Sequence, residues 1–329
     1  MLLHLLCLSI LSPAKPIKLF DKKPSRAINA IKSFANPRNV EVVRKLGEGG
    51  FGIVEEVKDK SSNENYARKT IFNPKKTLFD EFDFTQSLQG NPHVVRVYSK
   101  TTGKDFLSYT MQKCDKNVEE GEININDIYR EYKENNNFES SFMKYKALQH
   151  NLHLIAVQIL DALIFIHKQK VAHLDIKPSN IMLCDGNYIL LDFGLAIAAP
   201  SGKSDNDNIR LSTIKAPESK MSSYDPFKVD VFHLGYTLLT ITGLARPPCY
   251  ESSQHQISNI ASISSGSFME FVKQLMACDP DIRPTAKQAL NLKWITDRDF
   301  WMNEKEMKMA FYKDMAKAAE KDFSDSFFD

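Results

Sequence analysis

Three residues with side-chain oxygens stand at short spacings in one stretch of the chain and could do chemistry together. Asp175 is followed by Asn180 and, beyond two apolar runs, by Asp192. The turn formers Asp185–Asn187 separate those runs, which predicts a β-hairpin whose ends bring Asn180 and Asp192 close together. Two oxygen ligands side by side suit a hard divalent cation, and magnesium is the obvious candidate. Asp175 is then left to meet the proton of a hydroxyl group.

A glycine cluster near the start of the first β-patterned segment is a second candidate element. Gly47, Gly49 and Gly52 fit the spacing G-x-G-x-x-G, although this pattern alone also fits a flexible turn. A dinucleotide-binding fold would need a helix directly after the glycines, whereas the strand-like residues Ile53–Val57 follow. This order favours a hairpin folded over phosphates, because backbone N–H groups of glycine can approach oxygen atoms with no Cβ between them.

The stretch around Asp175 resembles a known family. HLDIKPSN at 173–180, followed by DFG at 192–194, is similar to the pattern H-R-D-x-K-x-x-N and D-F-G of the eukaryotic-type protein kinases. Leu174 departs from that pattern, which usually has arginine there. The glycine cluster and Ala-Pro-Glu at 216–218 extend the resemblance over about residues 40 to 299. Each motif is weak alone, but their combination in the right order is specific.

The resemblance implies an α+β, bilobal protein-kinase-like fold. A small antiparallel β-sheet lobe with one helix would occupy residues 40–113, and a larger, mainly α-helical lobe would occupy 114–299. Residues 1–39 would form an N-terminal extension. Residues 300–329 would form a C-terminal tail, in which composition favours a helix over Met302–Lys321.

The polar residues 115–150 are more numerous than the family usually needs between the lobe junction and the next helix. We interpret them as an insertion that is partly helical near Ile128–Tyr132 and otherwise a loop. Apolar residues at helical spacing predict the next helix over Leu152–His167. The insertion or the C-terminal tail is a possible docking surface for a partner protein, although a solvated loop is the plainer alternative.

The resemblance also implies roles for individual residues. Lys69 would hold the α- and β-phosphates of ATP and pair with Glu81, on a helix predicted over Leu78–Leu88. Asp175 would accept the proton of the attacking hydroxyl, and Lys177 would stabilise charge on the γ-phosphoryl group. The implied catalytic residues are Asp175, Lys177, Lys69 and Glu81, and the implied ligands of Mg2+ are Asn180 and Asp192.

A nucleotide pocket follows from the same resemblance. Met111–Cys114 is similar to the hinge between the lobes, with Met111 behind the adenine and backbone groups around Gln112 and Cys114 at its edge. The apolar sandwich of the adenine would be Val54, Ala67 and Met182, which could equally be ordinary core residues. The implied ATP-binding residues are Gly47, Gly49, Gly52, Val54, Ala67, Lys69, Met111, Gln112, Cys114 and Met182.

Other positions bear on stability and regulation. The resemblance implies that Asp230 braces the catalytic loop and that Arg283 pairs with Glu218. The family's pattern G-T-x-x-Y-x before Ala-Pro-Glu falls on residues 210–215, where Leu211 and Ile214 stand at the threonine and aromatic positions. Leucine at 174 cannot receive a phosphate as arginine does, so we expect activity that depends little on phosphorylation of the activation segment, whose candidate acceptors are Ser204, Ser212 and Thr213.

The implied function is transfer of the γ-phosphoryl group of Mg-ATP to serine or threonine hydroxyls of protein substrates. The lysine two residues after Asp175 is the form found in the serine/threonine kinases. One alternative is a pseudokinase scaffold that binds nucleotide or partner proteins without turnover. Another is a small-molecule kinase of related fold, against which Ala-Pro-Glu and Arg283 argue, because they shape a shelf for a peptide.

Composition sets the remaining expectations. The chain has 329 residues, 26% of them charged, and a net charge of +2 that gives no general basic field for nucleic acid. Its five cysteines are scattered without a C-x-x-C pair, so we expect reduced thiols in a cytoplasmic protein rather than a zinc site or disulfide framework. The apolar run at residues 2–11 is too short to span a bilayer, which predicts no membrane span. It could instead be the core of a signal peptide, and the alternative localisation is therefore secreted.

Overall fold

A computed structural model of the chain describes residues 40–49, 52–72, 81–118, 125–205, 212–243, 267–296 and 303–325. The predicted N-terminal extension and the first residues of the helix predicted over Leu78–Leu88 lie outside this part.

The small lobe is a five-stranded antiparallel sheet. Its strands are β1 (Val40–Gly49), β2 (Gly52–Asp59), β3 (Asn65–Phe72), β4 (Val97–Thr102) and β5 (Phe106–Met111), in the spatial order β1-β2-β3-β5-β4. One helix, α1 (Glu81–Ser87), accompanies the sheet. This lobe and the helical lobe that follows confirm the predicted α+β, bilobal class.

Gly52 permits the close approach of β2 to β3. Its φ is +139°, and a Cβ at this position would lie 2.0 Å from the carbonyl oxygen of Thr70. No other residue fits there without displacing backbone. The glycine cluster therefore ends in a hairpin, where Gly49 pairs with Gly52, rather than in a turn that leads into a helix.

The large lobe is built mainly from helices around a few short strands. The elements between the hinge and the catalytic region are β6 (Lys116–Asn117), α2 (Ile125–Asn135), α3 (Phe138–Lys168) and β7 (Val171–Ala172). The next elements are β8 (Ile181–Cys184), β9 (Asn187–Leu190) and β10 (Ile197–Ala198). The remaining helices are α4 (Pro226–Ile241), α5 (Ser267–Leu275), α6 (Ala286–Ala289), α7 (Lys293–Thr296) and α8 (Glu304–Asp325).

Helix α3 forms the centre of the large lobe and corrects the prediction for the insertion. It begins at Phe138 rather than Leu152, so most of residues 115–150 are helical and not a loop. The side chain of Asn137 caps it by accepting a hydrogen bond from the N–H of Ser140. Aromatic residues continue the helical spacing upstream of Leu152, and the sequence interpretation, which counted aliphatic residues, missed them.

Helix α8 packs on this early part of α3, which confirms the predicted tail helix. Phe311 is fully buried against the rings of Phe138, Phe142 and Tyr145, at centroid distances of 5.4 to 5.8 Å. The hydroxyl of Tyr145 donates to the carboxylate of Asp314 at 2.7 Å. The insertion and the tail thus share one aromatic cluster within the chain.

By length and composition alone α3 could cross a membrane, but 44% of its most apolar window is buried. Leu152, Ile155, Ile159 and Leu160 on this helix have no exposed surface, as befits the core helix of a globular lobe.

A disulfide bond contradicts the expectation of reduced thiols. Cys114 and Cys184 are bonded, with a Cα–Cα distance of 4.5 Å and a sequence separation of 70 residues. They meet because β6 pairs with β8, with Lys116 opposite Leu183. Sequence spacing gave no signal of this pairing because only the tertiary fold brings the two cysteines together. Cys278 is a free cysteine.

Candidate active site

Lys69 connects the two lobes through a shared ion pair. Lys69 lies on β3, and its ammonium nitrogen lies 2.9 and 3.0 Å from the two carboxylate oxygens of Glu81 on α1. The same nitrogen donates to Asp192 in the large lobe at 3.0 Å. The hydroxyl of Tyr109 also donates to Glu81, at 2.8 Å. One cation therefore holds two carboxylates that come from distant parts of the chain.

The two carboxylates respond differently to this arrangement. Burial raises the pKa of Glu81 to about 7, against the opposing attraction of Lys69. Burial acts in the same direction on Asp192, but Lys69 outweighs it and lowers the pKa of Asp192 to about 2. Burial disfavours the charge of Lys69, yet the two carboxylates raise its pKa overall. Asp192 is therefore ionised at neutral pH, beside a permanent cation.

The β8–β9 hairpin places Asp192 as predicted. Its two-residue turn has Asp185 and Gly186 at φ of 49° and 78°, which is the backbone of a type I′ turn. The N–H of Leu191 donates to the carbonyl of Asn180 at 2.9 Å, so the two ends of the hairpin are joined. Asp192 itself has a positive φ of 61° and accepts a hydrogen bond from the N–H of Gly194.

The buried carboxylate of Asp230 on α4 fixes the start of the catalytic loop, as the resemblance implied. Its oxygens accept the N–H groups of His173 and Leu174 at 2.8 and 2.7 Å. Leu174 is completely buried and has φ of 63°, an unfavourable value for leucine that costs about 1–2 kcal/mol. The two hydrogen bonds to Asp230 hold that conformation.

Asp175 lies at the centre of a cluster of polar contacts. Lys177 donates to its Oδ2 at 2.7 Å, and the amide nitrogen of Asn180 donates to the same oxygen at 3.0 Å. That amide nitrogen also donates to the backbone carbonyl of Asp175 at 2.8 Å. The amide nitrogen is thus committed to Asp175, so the oxygen of the same amide is the atom that could bind a cation.

Ser212 is a site residue that the sequence interpretation missed. It is 1% exposed, and its hydroxyl donates to Oδ1 of Asp175 at 3.4 Å while accepting the N–H of Ile214. Counting back from Ala-Pro-Glu placed the family's threonine one position earlier, at Leu211, which lies outside the described residues. The hydroxyl is therefore present near Asp175, shifted by one position. Its presence in the stretch before Ala-Pro-Glu was the available signal.

The residues of the implied nucleotide pocket come from five strands, β1, β2, β3, β5 and β8, and from the hinge. Ala67 on β3 pairs with Met111 on β5, and Val54 on β2 pairs with Lys69. Met182 lies on β8 and is half-buried.

The hinge itself differs in part from expectation. The N–H of Gln112 donates to the carbonyl of Arg96 at 2.8 Å, so this N–H is already used within the small lobe. The side-chain oxygen of Gln112 is buried and has no hydrogen-bond partner among the described residues. Cys114 carries the disulfide.

The side-chain oxygens of Asn180 and Asp192 suit magnesium only when nucleotide phosphates supply further ligands. Within the described ranges no group of three or more His, Cys, Asp or Glu side chains could hold a metal ion. Asp192 and Asn180 offer a carboxylate and an amide oxygen, which matches the way Mg2+ binds through one or two protein ligands with nucleotide phosphates and water supplying the rest. These two residues therefore fit Mg2+ together with a nucleotide.

A second buried ion pair, between Arg283 and Glu218, involves the Ala-Pro-Glu segment that follows Ser212. The guanidinium of Arg283 donates to both oxygens of Glu218 at 2.6 and 3.1 Å. It also donates to the carbonyls of Lys228 and Ala277. Both side chains have no more than 1% exposure. This pair fastens the Ala-Pro-Glu segment to the helical lobe, as the resemblance implied.

Comparisons with known proteins agree with this geometry. A family model described as protein kinase domain matches residues 40–295. Death-associated protein kinase 2 of Mus musculus is 26% identical over 299 residues, covering 79% of this chain and 72% of that protein. Serine/threonine-protein kinase 17A of Oryctolagus cuniculus is 24% identical over 286 residues, covering 77% and 65%. Calcium-dependent protein kinase 29 of Arabidopsis thaliana is 27% identical over 279 residues, covering 77% and 48%.

Proposed function

Because the chain belongs to the protein kinase domain family, we propose that it transfers the γ-phosphoryl group of Mg-ATP to serine or threonine hydroxyls of proteins. The observation that carries the proposal is the shared contact of Lys69 with Glu81 and Asp192. It places a cation for the nucleotide phosphates next to an ionised carboxylate that suits magnesium.

The residues of the small lobe bind and orient the nucleotide. The glycine hairpin brings backbone N–H groups to the phosphates, and Lys69 adds a fixed positive charge held in place by Glu81. When bound, Mg-ATP supplies the transferable phosphoryl group. Phosphoryl transfer needs alignment and charge neutralisation more than covalent help, and both follow from this fixed set of charges.

The residues of the catalytic loop handle the acceptor. Asp175 orients the hydroxyl and accepts its proton, while Asn180 holds the Asp175 carboxylate in one orientation. Lys177 donates to Asp175 and would stabilise negative charge on the group in transfer. The position of Lys177 and the serine/threonine kinases among the similar proteins support a serine or threonine acceptor.

A phosphotransfer assay against a peptide library tests the proposal, with Asp175→Asn as the inactive variant. We expect phosphoserine or phosphothreonine products and a loss of about 100-fold to 10,000-fold in turnover for the variant. Asp185→Asn is the matched control because Asp185 is exposed, in the β8–β9 turn that follows the catalytic loop, and it should keep full activity. Wild-type protein that binds Mg-ADP but transfers no phosphoryl group would instead be a pseudokinase.

A further inference from the structure

The disulfide between Cys114 and Cys184 joins two walls of the nucleotide site. Cys114 ends the hinge, and Cys184 ends β8, the strand that also carries Met182 below the adenine position. Cys114 is 9% exposed and Cys184 is 2% exposed. The bond is therefore part of the packed structure directly beside the proposed adenine edge.

The polypeptide on either side of Cys114 is also held by noncovalent contacts. The ammonium of Lys113 lies 3.6 Å from a carboxylate oxygen of Glu56 on β2. The N–H of Gln112 donates to Arg96 in the small lobe at 2.8 Å. The N–H of Asp115 donates to Leu183 at 2.9 Å and that of Val118 to Ile181 at 3.1 Å, through a strand β6 of two residues. β6 is the edge strand of a three-stranded sheet with β8 and β9. The disulfide adds a covalent link between the hinge and β8 to these contacts, so it also constrains where the Cys114 backbone lies.

We propose that this disulfide is a positioning element of the nucleotide site: the oxidised protein binds adenine nucleotides more tightly than the dithiol form. This rests on the proposed function, since it assigns the adenine edge to the hinge. A fixed Cys114 presents its backbone groups to adenine without first having to be ordered. Binding to a pre-ordered segment avoids that loss of entropy.

The redox step uses a dithiol as reductant. One thiolate of the reductant attacks a sulfur of the Cys114–Cys184 bond, which breaks and forms a mixed disulfide. The second thiolate then closes the reductant into a cyclic disulfide. Two electrons and two protons pass to the protein, which leaves Cys114 and Cys184 as thiols. Oxidising compartments preserve such bonds and reducing ones remove them, so the nucleotide affinity would follow the environment.

Calorimetric titration of the full chain with Mg-ADP tests the proposal in the oxidised, dithiol-reduced and re-oxidised states. Thiol alkylation and mass spectrometry count the bonds in each state. We expect the Kd for Mg-ADP to rise about threefold to tenfold on reduction and to recover on re-oxidation. The KM for ATP should change by the same factor, with kcat altered less than about twofold. Inorganic tripolyphosphate, which lacks adenine, should bind equally in both states.

Variants provide a second arm for the case in which the buried bond resists reduction. Cys114→Ala with Cys184→Ala should reproduce the reduced state, whereas Cys278→Ala removes a free cysteine away from the disulfide and should behave as wild type. An equal Kd for Mg-ADP in the bonded and unbonded forms overturns the proposal, as does an equal weakening for tripolyphosphate. Redox-dependent Mg-ADP binding without any phosphotransfer would overturn the proposed function and leave this inference standing.

Discussion

Two buried ion pairs in the described part of the chain, Arg283 with Glu218 and Lys69 with Glu81 and Asp192, are built differently. Arg283 and Glu218 meet in the large lobe with no more than 1% exposure, and the guanidinium also donates to backbone carbonyls. Lys69 is shared between Glu81 and Asp192, and 32% of the Asp192 side chain remains exposed.

The difference separates a structural pair from a functional one. The hydrogen bonds of Arg283 are directed entirely at the protein, so the pair can do nothing except hold two segments together. In the Lys69 cluster one cation serves two acids. Burial raises the pKa of Glu81 to about 7 against the attraction of Lys69, whereas at Asp192 Lys69 outweighs burial and lowers the pKa to about 2. Such an arrangement has room for additional charged groups, as a nucleotide site requires.

Breaking the structural pair should have the largest effect on stability. Arg283→Met leaves Glu218 buried without its partner, and we expect the free energy of unfolding to fall by about 3–5 kcal/mol. Urea unfolding measures this change. Arg130→Met is the matched control, because Arg130 forms only an exposed pair with Asp127 and its loss should cost less than about 1 kcal/mol. Equal losses for the two variants would remove the distinction drawn between the pairs.

Breaking the cleft cluster should chiefly affect the rate. Lys69→Met removes the cation aimed at the nucleotide phosphates, and we expect kcat/KM to fall about 100-fold to 1000-fold. The melting temperature should change little, since Glu81 can take up a proton when its partner is lost. Steady-state kinetics and thermal melting measure both quantities. Lys104→Met, at an exposed position between β4 and β5, is the control. A large drop in the melting temperature of Lys69→Met would show that Lys69, like Arg283, mainly stabilises the fold.

His233 on α4 should make the region around the structural pair sensitive to acid. Burial lowers its pKa to about 4, against the attraction of Asp230, Asp175 and Glu218. The unfolded chain binds a proton near pH 6.5 and the folded chain does not, so stability falls as the pH drops from about 6.5 to about 4.

The full loss assigned to His233 is about 3 kcal/mol. Urea unfolding of wild type and His233→Gln at a series of pH values isolates this contribution, because the carboxylates titrate alike in both proteins. The variant should show a shallower decline between pH 6.5 and pH 4. Parallel curves for the two proteins would show that His233 takes no part.

The smallest effect on activity is expected when phosphoacceptor residues of the activation segment are replaced. Replacing Ser204 and Thr213 together by alanine should change turnover less than about tenfold, because the buried Leu174 offers no cation to a phosphate there. Ser212 is left out of this test because its hydroxyl contacts Asp175. Protein treated with a phosphatase is the companion sample. A drop of more than tenfold would contradict the expectation.

Local patterns allowed much of the cleft to be predicted from sequence. Strand β2 after the glycine cluster and the β8–β9 hairpin follow from apolar patterning and turn residues, which act over a few residues. The Lys69–Glu81 contact followed from family resemblance, and the geometry agrees with it. Whether these residues act as proposed stays a prediction.

The features that sequence did not predict depend on distant contacts. Cys114 and Cys184 come together only through strand pairing across 70 residues. The early start of α3 at Phe138 depends on aromatic packing against Phe311. Ser212 reaches Asp175 because of the path of its segment in space, which counting along the motif misplaced by one residue.

The aromatic cluster of α3 and α8 has a consequence for biosynthesis. Phe138, Phe142 and Tyr145 leave the ribosome long before Phe311, the ring that buries them. Until α8 is translated, the nascent large lobe exposes an apolar surface of the kind that chaperones bind. Folding of this lobe is therefore completed late in synthesis. An mRNA truncated before α8 would yield a chain that chaperones and proteases remove.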